Sequence, residues 1–240
     1  VRPGDAFLSL GTSGVLWVTT ARHAAAPERG VHAFCHAVPD TWHQMGVLLS
    51  AAASLAWWSA IARADEGELL AELPAQAQDP APCWFVPYLS GERTPHNDAR
   101  VRGGFLHASA ATARADMTLA VLQGVAHAFR DARDALVAAG TRVAEADLIG
   151  GGTRSDLWCD LLANMLGIAL RRVDGATHGP ALGAARLAQA ALTGEPHFPR
   201  PAAGRVFEPR GALAQRYDEA HARWASLYRL AQQVPAARSE

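Results

Sequence analysis

Lysine is absent: all 22 basic side chains of this 240-residue sequence are arginines. Within this chain that excludes a Walker A phosphate loop, the strand lysine of protein kinases and Schiff-base chemistry, each of which needs an ammonium group. Long hydrophobic runs are also missing. Gly, His, Ser or Arg interrupts every apolar stretch before the roughly 20 residues a membrane helix requires, so no span is expected. The three cysteines, Cys35, Cys83 and Cys159, are far apart and include no C-x-x-C pair. Neither a disulfide framework nor a thiolate zinc site follows, and reduced thiols in cytoplasm are the simplest reading. No basic run exceeds Arg171-Arg172, and the formal net charge is −1, which removes the footprint of a nucleic-acid binder. The start, Val1-Arg2-Pro3-Gly4-Asp5, has no initiator Met, basic leader or signal-type apolar segment, and reads as a cut inside a longer chain.

What is present is a chain that is 50% apolar and long enough to bury one sizeable core. Alternation predicts strands at 6–10, 15–19 and 42–49, the first two forming a hairpin through Gly11-Thr12-Ser13-Gly14. Helical spacing of Leu55, Trp58 and Ile61 predicts a helix at 50–63 with those residues on its buried face. A short strand at 83–86 leads to a polar, turn-rich stretch, 88–104, whose length suggests function. The strongest helix is predicted at 116–139, with Met117, Ala120, Val121, Gly124, Val125, Phe129, Ala132 and Leu136 inside, and Arg130, Asp131, Arg133 and Asp134 on its wet side. A strand at 146–149 runs into Gly150-Gly151-Gly152 and an amphipathic helix bearing Leu157, Trp158, Leu161, Leu162, Met165 and Leu166. Then come a strand at 169–173, a helix from Gly179-Pro180, a Pro-punctuated connector at 194–209 and a terminal helix striped by Leu213, Tyr217, Trp224, Leu227 and Tyr228. The order predicts an α/β fold: a mixed sheet with helices on both faces, in one domain over 1–193 onto which 194–240 pack.

Two glycine-rich turns carry the chemistry. Gly11-Thr12-Ser13-Gly14 puts backbone N–H groups and two hydroxyls at a hairpin tip, a nest-like arrangement for an anion, although a plain tight turn reads the same way. Gly150-Gly151-Gly152 ends a strand before a helix capped by Thr153 or Ser155, which lets backbone approach a ligand without a Cβ in the way. It is not the Rossmann fingerprint. His32, Cys35, His36 and His43 match no zinc spacing and no metal is assigned to them. No G-x-S-x-G elbow occurs, and Glu92, Asp98 and Asp116 read as loop and helix-end charge rather than an acid–base pair.

Five stretches together resemble the FGGY carbohydrate kinases, in the family's order. They are Leu10 with Gly11-Thr12-Ser13-Gly14, Val31-His32-Ala33-Phe34-Cys35-His36, Phe85-Val86-Pro87-Tyr88-Leu89 running on through Ser90-Gly91-Glu92-Arg93-Thr94-Pro95-His96-Asn97, the stretch 149–155, and 179–185. The third looks like the version found in members that phosphorylate xylulose. A further family signature maps to Gly103, Phe105 and Asp116 onward, but His107 and Ala108 stand where the family usually has Gly and a larger aliphatic, which leaves the local turn open.

The resemblance implies a ribonuclease H-like, actin-like ATPase fold and an ATP-dependent sugar kinase that uses Mg2+ and D-xylulose. It implies ATP contacts at Gly11, Thr12, Ser13, Gly14, Gly150, Gly151, Gly152 and Ser155, with Ala52 and Ala56 near the purine. It also implies that the catalytic Asp and the sugar contacts belong to an amino-terminal domain absent here, so that this chain alone is inactive, and that the intact enzyme could be a homodimer. Another sugar or polyol as substrate (ribulose, gluconate, glycerol), or a non-catalytic actin-like nucleotide-binding module, are the alternatives.

Overall fold

The computed structural model describes residues 1–74, 79–173, 179–194, 198 and 202–235. A seven-stranded sheet organises the chain. Its strands are β1 (Ala6–Leu10), β2 (Gly14–Thr20), β3 (His32–Cys35), β4 (Trp42–Leu48), β7 (Glu145–Ile149), β8 (Ala169–Val173) and β9 (Ala203–Phe207). Their order is β3-β4-β2-β1-β7-β8-β9. β1 is antiparallel to β2 and parallel to β7, and β7 is parallel to β8. The sheet is therefore mixed, as the sequence predicts. A separate hairpin of β5 (Trp84–Val86) and β6 (Gly104–Leu106) flanks it.

Helices follow the strands as α1 (Ala52–Ala62), α2 (Glu66–Ala71), α3 (Arg114–Ala138), α4 (Asp156–Leu166), α5 (Gly179–Thr193), α6 (Gly211–Trp224) and α7 (Leu227–Gln233). α3 is the central element. It starts where Asp116 accepts the Ala113 N–H (2.9 Å) and packs on β4, β5, α1 and α4. Gly124 in its interior costs about 1 kcal/mol of helix propensity. Val121, Leu122, Val125, Phe129 and Leu136, all fully buried, outweigh that at roughly 1.5–3 kcal/mol each. Gly124 is also where the helix comes so close to the Phe85 carbonyl that no side chain would fit.

Burial departs from the predicted faces in two places. Ile61 is 54% exposed, because the α1 stripe ends with Trp58, whose indole N–H donates to Thr118 Oγ1 (2.9 Å). The expected wet side of α3 is half-buried under α4 and α6: Arg130 pairs with Asp218 (2.8 Å) and donates to the Met165 carbonyl (2.8 Å), and Asp131 meets His221 (3.2 Å). A long helix inside a layered domain has few directions left to point at water. The terminal helix is broken into α6 and α7, and α6 is anchored by Trp224 Nε1 donating to the Phe85 carbonyl (2.9 Å). No described helix is long and apolar enough to cross a membrane.

Candidate functional site

Because β1 and β7 run parallel with Ser9 opposite Ile149, the turns after both strands emerge side by side at one end of the sheet. Outside the carboxyl ends of parallel strands is where open α/β sheets hold ligands. The β1–β2 turn is residues 11–13, since Leu10 already pairs with Gly14. Thr12 and Ser13 are exposed, and neither hydroxyl has a partner among the described residues. The turn's carbonyls face the other way: Gly11 O accepts the N–H of Ala52 (2.8 Å), and Thr12 O accepts those of Ala51 (3.0 Å) and Ala53 (3.2 Å). The first amides of α1 are thereby consumed by the hairpin, which leaves the hydroxyls of Thr12 and Ser13 as open donors.

Gly14 plays a different part. It is buried, and a Cβ there would stand 2.6 Å from Phe129 Cζ, so glycine at this position serves packing of the hairpin base on α3. Ala52 begins α1 and Ala56 lies one turn further on, exposed, so both sit on the helix that starts at the hairpin.

The three glycines after β7 also divide. Gly150 has φ +97°, and a Cβ on it would lie 2.7 Å from the backbone of Leu10 and 3.0 Å from the Gly11 nitrogen. A Cβ on Gly152 would meet the Leu10 side chain at 2.6 Å. The neighbouring strand alone therefore holds both positions to glycine. Gly151 alone is exposed with nothing within 4 Å of its Cβ direction. Thr153, buried, donates its hydroxyl to Gly150 O (2.7 Å), and Cys159 donates to Thr153 O (3.3 Å) from a thiol that burial pushes up to about 11. Of the two predicted caps Ser155 is the one used: it accepts the Trp158 N–H (3.2 Å). Sequence reasoning passed over Arg154, which is exposed in this turn and has no ion pair among the described residues. Its signal was available as the single charge between the glycine run and the helix cap.

The stretch 90–97 lies elsewhere in the fold. Glu92 and Thr94 are buried, Gly91 is buried with φ +79°, Ser90, Arg93 and Asn97 are exposed, and Pro95 and His96 are intermediate. His96 stacks on Tyr228 of α7 (3.5 Å between ring centroids) and meets the Tyr88 hydroxyl (3.2 Å). Burial pushes the Glu92 carboxyl up to about 8 and lowers His96 despite the Asp131 carboxylate nearby. The His32, Cys35, His36 and His43 group lies on β3, just after it and on β4, where His43 stacks on Trp17 (5.1 Å) and packs tilted against Phe34 (5.8 Å).

The profile of the FGGY family of carbohydrate kinases, C-terminal domain, matches residues 6–192. The xylulose kinase of Escherichia coli is 43% identical over 196 residues, which are 81% of this chain and 40% of that protein. A crystal structure of a xyloylose kinase from Brucella ovis, 45% identical, superposes with a TM-score of 0.91 over 97% of this chain and 49% of its own. A xylulose kinase structure from Rhodospirillum rubrum, 26% identical, does so with a TM-score of 0.81 over 97% of this chain and 48% of its own. The fold is thus the ribonuclease H-like, actin-like one of these kinases. The chain spans about half the length of such relatives or less.

Proposed function

Since this chain belongs to the FGGY family of carbohydrate kinases, of which it carries the C-terminal domain, we propose that it is the ATP-binding half of a cytoplasmic kinase acting on D-xylulose. The observation that carries the reading is the pair of open hydroxyls on Thr12 and Ser13, set beside the exposed Gly151 at one sheet end. Bound MgATP supplies the phosphoryl group and the cation that shields its charge. Thr12 and Ser13 donate hydrogen bonds to phosphate oxygens, and Gly11 and Gly151 let backbone approach. Gly14, Gly150 and Gly152 shape the hairpin and turn from behind. Arg154 offers a positive charge, Ala52 and Ala56 an apolar wall for the base, and Ser155 orients α4. The catalytic base and the sugar contacts are assigned to an amino-terminal domain of the intact kinase, since the longer relatives extend over about twice the length of this chain. Positioning and charge stabilisation are most of what such a transfer asks of a protein.

The test is Thr12→Ala in the intact kinase, assayed with xylulose and with ribulose, gluconate and glycerol beside it. Loss of the phosphate contact lowers kcat about tenfold, or roughly 1.4 kcal/mol, while the KM for xylulose stays within twofold. Unchanged turnover with a weakened sugar KM would put the hairpin on the wrong side of the reaction. A larger kcat/KM for another member of the panel would move the substrate.

A further inference from the structure

The segment 92–94 carries two buried polar side chains that no ligand role absorbs, and their partners trace a path to the hairpin tip. β3 pairs with β4 only from Trp42 to Met45, which leaves the outer edge of β4 open beyond it. Thr94 fills that edge: its N–H donates to Val47 O (3.0 Å), and its hydroxyl accepts the Val47 N–H (2.9 Å) and donates to Gly30 O (2.8 Å). Glu92 continues two residues on, where Oε1 accepts the N–H of Leu49 (3.0 Å) and of Arg93 (2.7 Å). On the inner edge, Val47 and Leu48 pair with Val15 and Gly14, the base of the hairpin. Just past Leu49, Ala51, Ala52 and Ala53 hold the hairpin carbonyls. Both supports of the tip, the β2–β4 ladder and the amides opening α1, therefore run through residues 47–49.

We propose that Glu92 and Thr94 are positioning residues for the hairpin at 11–13, completing the edge of β4 so that the open hydroxyls of Thr12 and Ser13 are held where the phosphates must lie. The assignment deepens the kinase reading and rests on it. Neither side chain touches a reactant. They act through Val47 and Leu49, in the way that a rigid supporting shell fixes a reacting geometry. The cost of the arrangement is visible in Glu92 Oε2, which is buried without a partner among the described residues, with Tyr88 on its own segment and Asp131 on α3 as its electrostatic neighbours. A group kept at such cost is more than filler.

The experiment compares Glu92→Ala, which removes the acceptor for Leu49, with Glu92→Gln, which keeps one. Amide hydrogen exchange on the 240-residue chain reads the brace without reference to ATP. In Glu92→Ala the amides of Leu49, Ala51, Ala52 and Ala53 exchange at least tenfold faster, those of Thr19 and of α4 are unchanged, and Glu92→Gln restores the original rates. In the intact kinase Glu92→Ala lowers kcat at least fivefold with the sugar KM unchanged, and Glu92→Gln recovers it. Uniform acceleration over the whole sheet, or none in a folded Glu92→Ala chain, overturns the brace itself. The expected exchange pattern in a protein whose unsubstituted intact form transfers no phosphoryl group instead sinks the kinase reading, and with it any phosphate for the brace to serve.

Discussion

The turn at 11–13 and the segment 90–97 are both polar, short and glycine-bearing, yet the fold uses them in opposite ways. In the first, backbone carbonyls are tied down and the side-chain hydroxyls of Thr12 and Ser13 are left open to solvent. In the second, the side chains of Glu92 and Thr94 are turned inward and bonded to backbone of other segments, while exposed Ser90, Arg93 and Asn97 mark its outer rim. A polar loop is open for binding only where its backbone needs are met by other backbone. Where side chains meet backbone needs, the loop is structure. The same division runs through the glycine run at 150–152, in which Gly150 and Gly152 answer to Leu10 and a Cβ on Gly151 would meet nothing within 4 Å among the described residues.

The largest effect that would break this division is at Gly150. Valine there must adopt φ +97° and seat a Cβ 2.7 Å from the Leu10 backbone. Left-handed strain and overlap with backbone each cost about 1–3 kcal/mol. Their sum, on the order of 4–5 kcal/mol, is a large part of a domain's usual 5–15. Gly151→Ala, by contrast, leaves stability within about 0.5 kcal/mol, as open surface positions do. Chemical denaturation of both variants reads the comparison directly, and equal losses would show that the run is a uniform turn.

Glu92 supplies the next effect, through pH. Its carboxyl has a folded pKa raised to about 8 from an ordinary value of about 4.5, with burial the main cause. A carboxyl raised on folding favours the native state only while it is protonated there. Its contribution is complete below the unfolded pKa and is lost as pH climbs through the interval from about 4.5 to about 8. At 1.36 kcal/mol per pKa unit the loss approaches about 5 kcal/mol. Glu92→Gln cannot ionise, so its unfolding free energy is flatter over that range, and denaturant titrations at pH 5, 6.5 and 8 separate the two proteins. Parallel pH profiles would mean that the carboxylate is ionised and satisfied in the folded chain.

Much of the architecture was legible because alternation and helical spacing report burial directly. β1 and β8 lie where the sequence predicts them, α3 differs only at its ends, and α4 contains every residue that marks the predicted helix after the glycine run. The sequence reading missed β3, β6, β9 and α2, all short, whose pairing partners are distant or whose apolar positions are too few to set a period. The two glycine turns were legible as a candidate site because glycine and hydroxyl residues cluster after apolar strands. Which of these glycines pack on Leu10 was not, since that depends on β1 and β7 being neighbours, a contact across about 140 residues of sequence. The burial of Glu92 was equally hidden, because its partners are backbone amides, which any sequence supplies. The predicted start of a helix at Gly179 holds, whereas the predicted connector falls partly outside the described residues.

The smallest effect sharpens the comparison at a position where sequence and family pattern disagree. His107 is exposed and has φ +65°, the left-handed conformation that glycine adopts freely, so the turn keeps the backbone expected of the family's usual Gly while carrying a side chain. An ordinary residue there costs roughly 1–2 kcal/mol, with His among the better-tolerated types. Glycine removes that strain but loses more freedom on folding, which offsets about 0.5–1 kcal/mol of the gain. The net for His107→Gly is a stabilisation of about 0.5 kcal/mol, or about 1–2 °C in Tm for a chain of this size. His107→Val moves the other way by at least as much, because a β-branched side chain tolerates positive φ poorly. Calorimetric melting of the three proteins in one buffer decides it. A valine variant that melts with the glycine variant would show that the turn relaxes to negative φ, and that position 107 places no conformational demand on its residue.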